Sequence, residues 1–104
     1  MSKRAEDRAR LGQGLEDTLR ETARMAALCD VRLLNPGAVE RVLGNDTSVC
    51  GRDNREAFDK MRGLLMMHYA IRGRAIETLG PEEAQAIVEN VVADLRKVWR
   101  DGAS

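Results

Sequence analysis

One segment organises this chain: residues 53–79, DNREAFDKMRGLLMMHYAIRGRAIETL. Its apolar residues recur every three or four positions, the spacing that brings side chains to one face of an α-helix. Asp53 and Glu56 have the spacing of a capping box at the helix start. Gly80 and Pro81 end the pattern, because proline cannot continue the helical hydrogen-bond ladder. The sequence therefore predicts a central helix of about 40 Å, with a main apolar stripe comprising Ala57, Phe58, Met61, Leu64, Leu65, Tyr69, Ile71, Ala75, Ile76 and Leu79.

A second set of apolar or small residues lies on the opposite side of the same helix: Gly63, Met66, Met67 and Ala70. A helix that is apolar on all sides is usually buried on all sides. We therefore expect the middle of the central helix to be covered on both sides, by its own chain or by another copy. These four residues are the predicted interface of a homodimer.

Two further amphipathic segments flank the central one. Residues 4–30 predict a helix with one apolar face, and residues 81–100 predict another. Only Gly80 separates the last helix from the central one, so the two should pair as a tight αα-hairpin. The first apolar face comprises Leu11, Leu15, Thr18, Leu19, Thr22, Met25, Ala26 and Cys29; the last comprises Ala84, Ile87, Val88, Val91, Val92, Leu95, Val98 and Trp99.

A short helix is predicted between the first and the central helices. Asn35 has the side chain of an N-cap, and Pro36 suits the first helical position. Gly44 ends this element. Two helical turns are not stable alone, so the short helix must pack on the others.

Length and composition fit one domain over residues 1–104. The chain has 104 residues, enough for one modest core, and no run alternates apolar and polar residues as a strand would. Residues 1–10 carry no large apolar side chain after the first methionine, which leaves disorder open there. The predicted fold is a small, dimeric, all-α helical bundle. Its three substantial helices lie near residues 5–30, 53–79 and 81–100, and its one short helix lies near residues 36–43.

The charge balance and the cysteine content narrow the function classes. Lys plus Arg number 17, as do Asp plus Glu, so no general attraction to nucleic acid or to an anionic membrane is expected. The charged N-terminal segment leads into no apolar signal region, and the longest apolar-rich run is too short to span a bilayer. Two cysteines are too few for a disulfide scaffold and fit a reducing compartment. A cytoplasmic location without a membrane partner is predicted.

His68 is the single histidine, and it falls within the apolar stripe. One histidine supplies no ligand set for a metal, so a neutral core residue bonded to a carbonyl or a side chain is favoured over a haem or metal ligand or a proton switch. Met66 and Met67 with His68 and either Cys29 or Cys50 could in principle hold a soft metal such as Cu(I). No spacing typical of metal sites supports this alternative, and the sequence predicts no metal or cofactor.

The main loop, residues 44–52, contains Cys50 and Arg52. Cys50 lies just before a predicted helix N-terminus and close to a cation, and both features favour the reactive thiolate. A redox-sensitive thiol is one interpretation, and a plain, partly exposed cysteine is the favoured one. Arg72 falls within the apolar stripe of the central helix. It could neutralise a buried carboxylate, lie at an interface or extend its charged end to solvent.

No Ser/His/Asp set, phosphate-binding loop or paired-carboxylate signature stands out. The preferred hypothesis is a small non-catalytic protein–protein interaction module that acts as a helical homodimer, in the role of an adaptor, a chaperone-like protein or a regulatory subunit. Its partners would be a second copy of the chain and a further protein. The alternatives are a transcriptional or RNA regulator whose dimerisation aligns Arg-rich surfaces, and a haem- or metal-binding protein that uses His68.

Overall fold

The computed structural model describes the backbone of residues 3–102 and the side chains of residues 3–97. Within that range the chain forms helices and no strand, which confirms the predicted all-α bundle with three substantial helices and one short helix. The elements are α1 (Lys3–Leu28), α2 (Ala38–Leu43), a 3-10 turn (Thr47–Val49), α3 (Arg55–Leu79) and α4 (Pro81–Gly102).

Asn54, and not the predicted Asp53, caps the start of α3. The side-chain oxygen of Asn54 accepts a hydrogen bond from the Ala57 amide at 3.1 Å, so the helix begins at Arg55 and the predicted capping box on Asp53 is wrong. Asn and Asp cap helices about equally well. Because Asp53 and Asn54 are both suitable N-caps, the sequence defines the start of α3 only to within one residue.

A single residue connects α3 to α4. Gly80 has φ +95° and ψ 155°, a backbone region that is essentially restricted to glycine. Its amide bonds the Ile76 carbonyl and closes α3, while its own carbonyl accepts from the Ala84 amide in the first turn of α4. The predicted end of the central helix and the tight connection to the next are therefore both correct.

The short helix starts later than predicted. Gly37, with φ +80°, precedes α2 and no side chain caps its start, so the expected N-cap at Asn35 is wrong. The carbonyl of Asn35, and not its side chain, accepts from the Ala38 amide at 3.1 Å. At the other end of the chain, α1 is helical from Lys3 and so includes residues 3–10.

The core is formed by α1 and α3 running antiparallel, with α4 alongside α1. The end of α1 and the start of α3 enclose one apolar cluster, which α2 and the loops cover. The first half of α1, the second half of α3 and α4 enclose the remainder. The first cluster comprises Met25, Ala26, Cys29, Val31, Val42, Ala57, Phe58, Met61 and Leu65; the remainder comprises Leu15, Ala23, Ala75, Ala84, Val88, Val91 and Leu95.

A polar layer separates these two parts of the core. Thr18, Thr22 and His68 are the buried polar side chains of the described range, and they lie between the clusters along α1 and α3. Val98 and Trp99, which the sequence assigns to the apolar face of the last helix, lie outside the residues whose side chains are described. No described helix combines the length and apolarity that crossing a bilayer requires.

Candidate functional site

The outer face of α3, defined by Gly63, Met66, Met67 and Ala70, is open to solvent. All four residues are exposed, and Met66 and Met67 each show 55% of their surface. The expectation that the middle of this helix is covered on both sides is therefore wrong for the single chain. The physical reason is that α1, α2 and α4 all pack on the opposite side of α3.

The inner face of α3 is the side that those helices cover. Its buried residues are Ala57, Phe58, Met61, Leu65, His68, Ala75 and Leu79. Tyr69 and Ile76, which the sequence places in the same stripe, are 42% and 41% exposed. The covered stripe is therefore narrower than the apolar pattern, because apolar residues at its edge lie beyond the reach of α1 and α4.

Two glycines leave part of the α3 surface without side chains. A Cβ added at Gly63 or at Gly73 would meet no atom of the described residues within 4 Å. Glycine in the middle of a helix costs roughly 1 kcal/mol relative to alanine. Neither residue has positive φ, so neither the backbone nor intrachain packing requires a glycine at these positions.

Charged residues border the outer face at both ends. Asp59 and Lys60 precede it, with Asp59 paired to Arg55 at 3.0 Å and Lys60 paired to Glu56 at 3.4 Å. Arg74 lies one turn beyond Ala70, is exposed and forms no ion pair with the residues that the structure describes. The first end thus carries both signs of charge, and the apolar centre has charged residues on either side, an arrangement typical of an interface core with a polar rim.

His68 lies on the inner face and is only 3% exposed. Its Nδ1 is 3.2 Å from the Thr18 hydroxyl, which itself donates to the carbonyls of Gly14 and Leu15. When the single hydroxyl proton is donated to either carbonyl, the hydroxyl oxygen accepts from the His68 tautomer that is protonated at Nδ1. Burial, and after it the nearby charge of Arg72, lowers the pKa of His68 to about 4. These properties describe a neutral core histidine that joins α1 to α3.

Arg72 extends from α3 toward α4. It is half-buried and donates to the side-chain oxygen of Gln85. The side-chain nitrogen of Gln85 in turn donates to Glu89 at 3.1 Å. Of the three interpretations that the sequence leaves open, neutralisation of a buried carboxylate does not fit, because the partner is an uncharged amide. Arg72 instead ties the second half of α3 to α4.

Cys50 and Arg52 lie where the main loop meets the end of α1. The Arg52 amide donates to the Cys29 carbonyl at 3.2 Å, and the Gly51 amide donates to the Asp30 carbonyl at 3.0 Å. These bonds bring the half-buried Cys50 beside the buried Cys29. The sequence singled out Cys50 but did not pair it with Cys29, because nothing in the spacing of two cysteines reports their contact in space.

The basic side chains of the bundle are interleaved with acids. Arg4 and Arg8 both reach Glu83, and Arg20 bonds Glu16 at 2.9 Å and lies 3.7 Å from Asp94. The described side chains contain no group of three or more His, Cys, Asp or Glu placed to hold a metal ion. The outer face of α3 is the described surface on which two consecutive large apolar side chains are exposed.

Comparison with known proteins adds no further site. No protein-family model, no curated protein and no solved structure matches this chain.

Proposed function

We propose that this chain is a small non-catalytic protein–protein interaction module that forms a homodimer through the outer face of α3. The observation that carries the proposal is the exposure of two adjacent methionines, each at 55%, between Gly63 and Ala70. Removing apolar surface from water contributes about 25 cal/mol per Å². A second copy is the partner present whenever the chain is, and it carries the same apolar surface.

The composition of the outer face supports close helix-to-helix contact. Gly63 and Ala70 project little, so the backbone of a second helix can approach, and methionines fill irregular gaps because their side chains are flexible and polarizable. Such a contact would explain why positions 63 and 73 are glycines although the space around Gly63 and Gly73 is open in the single chain. Their cost within the single chain would be offset by packing between copies.

The order of residues supports an antiparallel arrangement about a two-fold axis. In a symmetric dimer, residue i contacts residue j and residue j contacts residue i. If the axis passes between Met66 and Met67, Met66 of each copy packs against Met67 of the other copy. The same axis places Gly63 opposite Ala70 and, farther out, Asp59 opposite Arg74. Small residues then face small residues, and opposite charges meet on both sides.

A contact between single helices belongs to the small class of interfaces, below about 1,200 Å² in total. The expected Kd is therefore on the order of 1 to 100 µM. The dimer would leave Tyr69 and Ile76 exposed beside the seam, where they are available to a further protein. The role that fits is that of an adaptor, a chaperone-like protein or a regulatory subunit.

Sedimentation velocity across that concentration range tests the dimer. Wild-type protein should shift from monomer to dimer, and Met67→Lys should remain monomeric because it places two like charges at the axis. Leu34→Lys is the matched control, since Leu34 is 48% exposed but lies outside α3. It should dimerise as the wild type does. A wild-type chain that stays monomeric, or a Met67→Lys chain that still dimerises normally, contradicts the proposal.

A charge exchange tests the antiparallel arrangement separately. Asp59→Arg and Arg74→Asp should each weaken the dimer by about tenfold, or about 1.4 kcal/mol, because like charges then face each other. The double variant should recover most of the wild-type Kd. If both single variants weaken the dimer and the double variant does not recover the wild-type Kd, the outer face of α3 still forms the interface but the antiparallel pairing is wrong.

A further inference from the structure

The two cysteines of the chain meet at one corner of the bundle, far apart in sequence but adjacent in space. Two backbone hydrogen bonds, from Arg52 to the Cys29 carbonyl and from Gly51 to the Asp30 carbonyl, fix the loop against the end of α1. Asp30 has φ +52°, the left-handed conformation that turns the chain out of α1. A Cβ at position 51 would overlap the Asp30 carboxylate, so a side chain there would force the Asp30 side chain to move.

The two thiols differ in their surroundings. Cys29 is fully buried and donates to the Met25 carbonyl at 3.2 Å, whereas Cys50 is half-buried. Burial, and after it the charge and the side-chain hydrogen bond of Cys50, raises the pKa of Cys29 to about 11. Cys50 packs against the apolar cluster that contains Cys29, and the two backbone bonds hold the loop at that place. Cys50 is the thiol that solvent reaches first.

A cavity of about 450 Å³ opens beside Cys50. Its lining includes the cationic residues Arg32 and Arg41 and the polar residue Ser48. A small polar oxidant can therefore approach the Cys50 sulfur from solvent, while the Cys29 sulfur is shielded behind it. The corner thus has an accessible thiol and a buried second thiol packed in the same apolar cluster.

We propose that Cys29 and Cys50 form a reversible intramolecular disulfide when the protein meets a hydroperoxide. The Cys50 thiolate attacks the terminal oxygen of the peroxide, the O–O bond breaks, and an alcohol or water leaves after taking up a proton. Cys50 is then a sulfenic acid. The Cys29 sulfur attacks the Cys50 sulfur, the S–O bond breaks, and the hydroxyl leaves as water with the Cys29 proton. Two thiols are oxidised by two electrons and one peroxide is reduced.

Proximity favours the second step. Cys29 and Cys50 pack in one apolar cluster, so the Cys29 sulfur is held near the Cys50 sulfenic acid. This arrangement favours the intramolecular reaction over capture by a second molecule.

The disulfide would close a loop that contains α2 and the 3-10 turn. Closing a loop of about 20 residues reduces the entropy of the unfolded chain, and for a domain of this size the corresponding rise in Tm is about 15 °C. The site lies at the start of α3 and shares no residue with the outer face of α3. The inference therefore does not depend on the proposed dimer.

The experiment treats full-length protein with hydrogen peroxide and follows it by mass spectrometry without reduction. Trypsin releases Cys29 in residues 25–32 and Cys50 in residues 42–52. We expect these two peptides to be joined after oxidation, with loss of two hydrogen atoms in mass, and separated again by dithiothreitol. Cys29→Ser should stop at the Cys50 sulfenic acid, which dimedone labels, and Cys50→Ser should react at least tenfold more slowly.

Thermal unfolding adds a second measurement. Oxidised wild-type protein should show a higher Tm than reduced protein, and oxidised Cys29→Ser should show no such rise. Peroxide that yields only Cys50–Cys50 links between molecules, or only irreversible sulfinic acid at Cys50, overturns the proposal. Equal rates of thiol loss in the wild type and in Cys50→Ser overturn it as well, because Cys50 would then not be the site of attack.

Discussion

The inner and outer faces of α3 both carry apolar side chains but differ in their surroundings. The inner face is buried by three other helices and contains a hydrogen-bonded histidine, whereas the outer face has only methionines and small residues and lies in solvent. Side chains that are fixed by packing, such as Phe58 and Met61, occupy one side. Side chains that adapt to a changing neighbour occupy the other. The difference shows that one face builds the monomer, whereas the other contributes little to its core.

The largest expected effect separates the two faces by stability. Phe58→Ala should lower the free energy of unfolding by about 3 to 5 kcal/mol, because Phe58 is 1% exposed and its removal leaves a cavity. Met67→Ala should change it by less than about 0.5 kcal/mol at concentrations where the chain is monomeric. Urea unfolding of both variants below 1 µM or so measures the contrast. Equal losses would mean that both faces stabilise the monomer.

A smaller effect comes from pH and belongs to the inner face alone. The ordinary histidine pKa of 6.5 falls to about 4 for His68 in the folded chain. Above pH 6.5 both states are neutral and stability is full. As the pH falls from 6.5 toward 4 the unfolded chain binds the proton first, so stability should decrease by about 3 kcal/mol in total.

Because His68 is the single histidine, His68→Gln provides a direct control. Chemical denaturation of the wild type and of this variant should be measured at several pH values between 7 and 4. This range includes the ordinary histidine pKa of 6.5 and the lowered pKa of about 4 for His68. The difference between the two curves isolates the imidazole from the carboxylates. Parallel curves would show that His68 titrates normally and is not held neutral by the fold.

The smallest effect concerns glycine on the outer face. Gly63→Ala should raise the free energy of unfolding of the monomer by about 0.5 to 1 kcal/mol, because helix formation becomes easier and the added methyl group meets open space. Gly51→Ala should lower it, since its Cβ would overlap the Asp30 carboxylate. If Gly63→Ala also weakens the dimer in sedimentation, glycine at this position serves association at the expense of the monomer. A stabilised variant that dimerises as the wild type does would assign Gly63 no role in the contact.

The sequence predicts the helices well because helix formation depends on local periodicity. The order of elements follows from that spacing, and the end of α3 follows from Gly80 and Pro81. The spacing also places Gly63, Met66, Met67 and Ala70 on one side of α3, but it does not predict that this side is exposed. The capping errors at Asp53 and Asn35 arise where neighbouring polar residues compete for the same position. Local sequence does not decide such a competition.

Contacts between residues that are far apart in sequence cannot be predicted from local periodicity. Thr18 and His68 are 50 positions apart, and their bond depends on how α1 crosses α3. The pairing of Cys29 with Cys50 depends on a loop that two backbone bonds fold back. Tyr69 and Ile76 were placed in the buried stripe because periodicity identifies an apolar side but not the angle that a neighbouring helix covers.

The polar layer of Thr18, Thr22 and His68 has a consequence for alignment. Alanine- and leucine-rich helices can slide along each other by one turn, about 5.4 Å, and still bury apolar surface. Such a slide would carry the Thr18 hydroxyl away from the imidazole and leave a buried ring nitrogen without its partner, at a cost of about 1 to 3 kcal/mol. A neutral imidazole in the middle of the bundle thus selects one longitudinal position of α1 on α3. That choice also sets where α4, which rests on both helices, comes to lie.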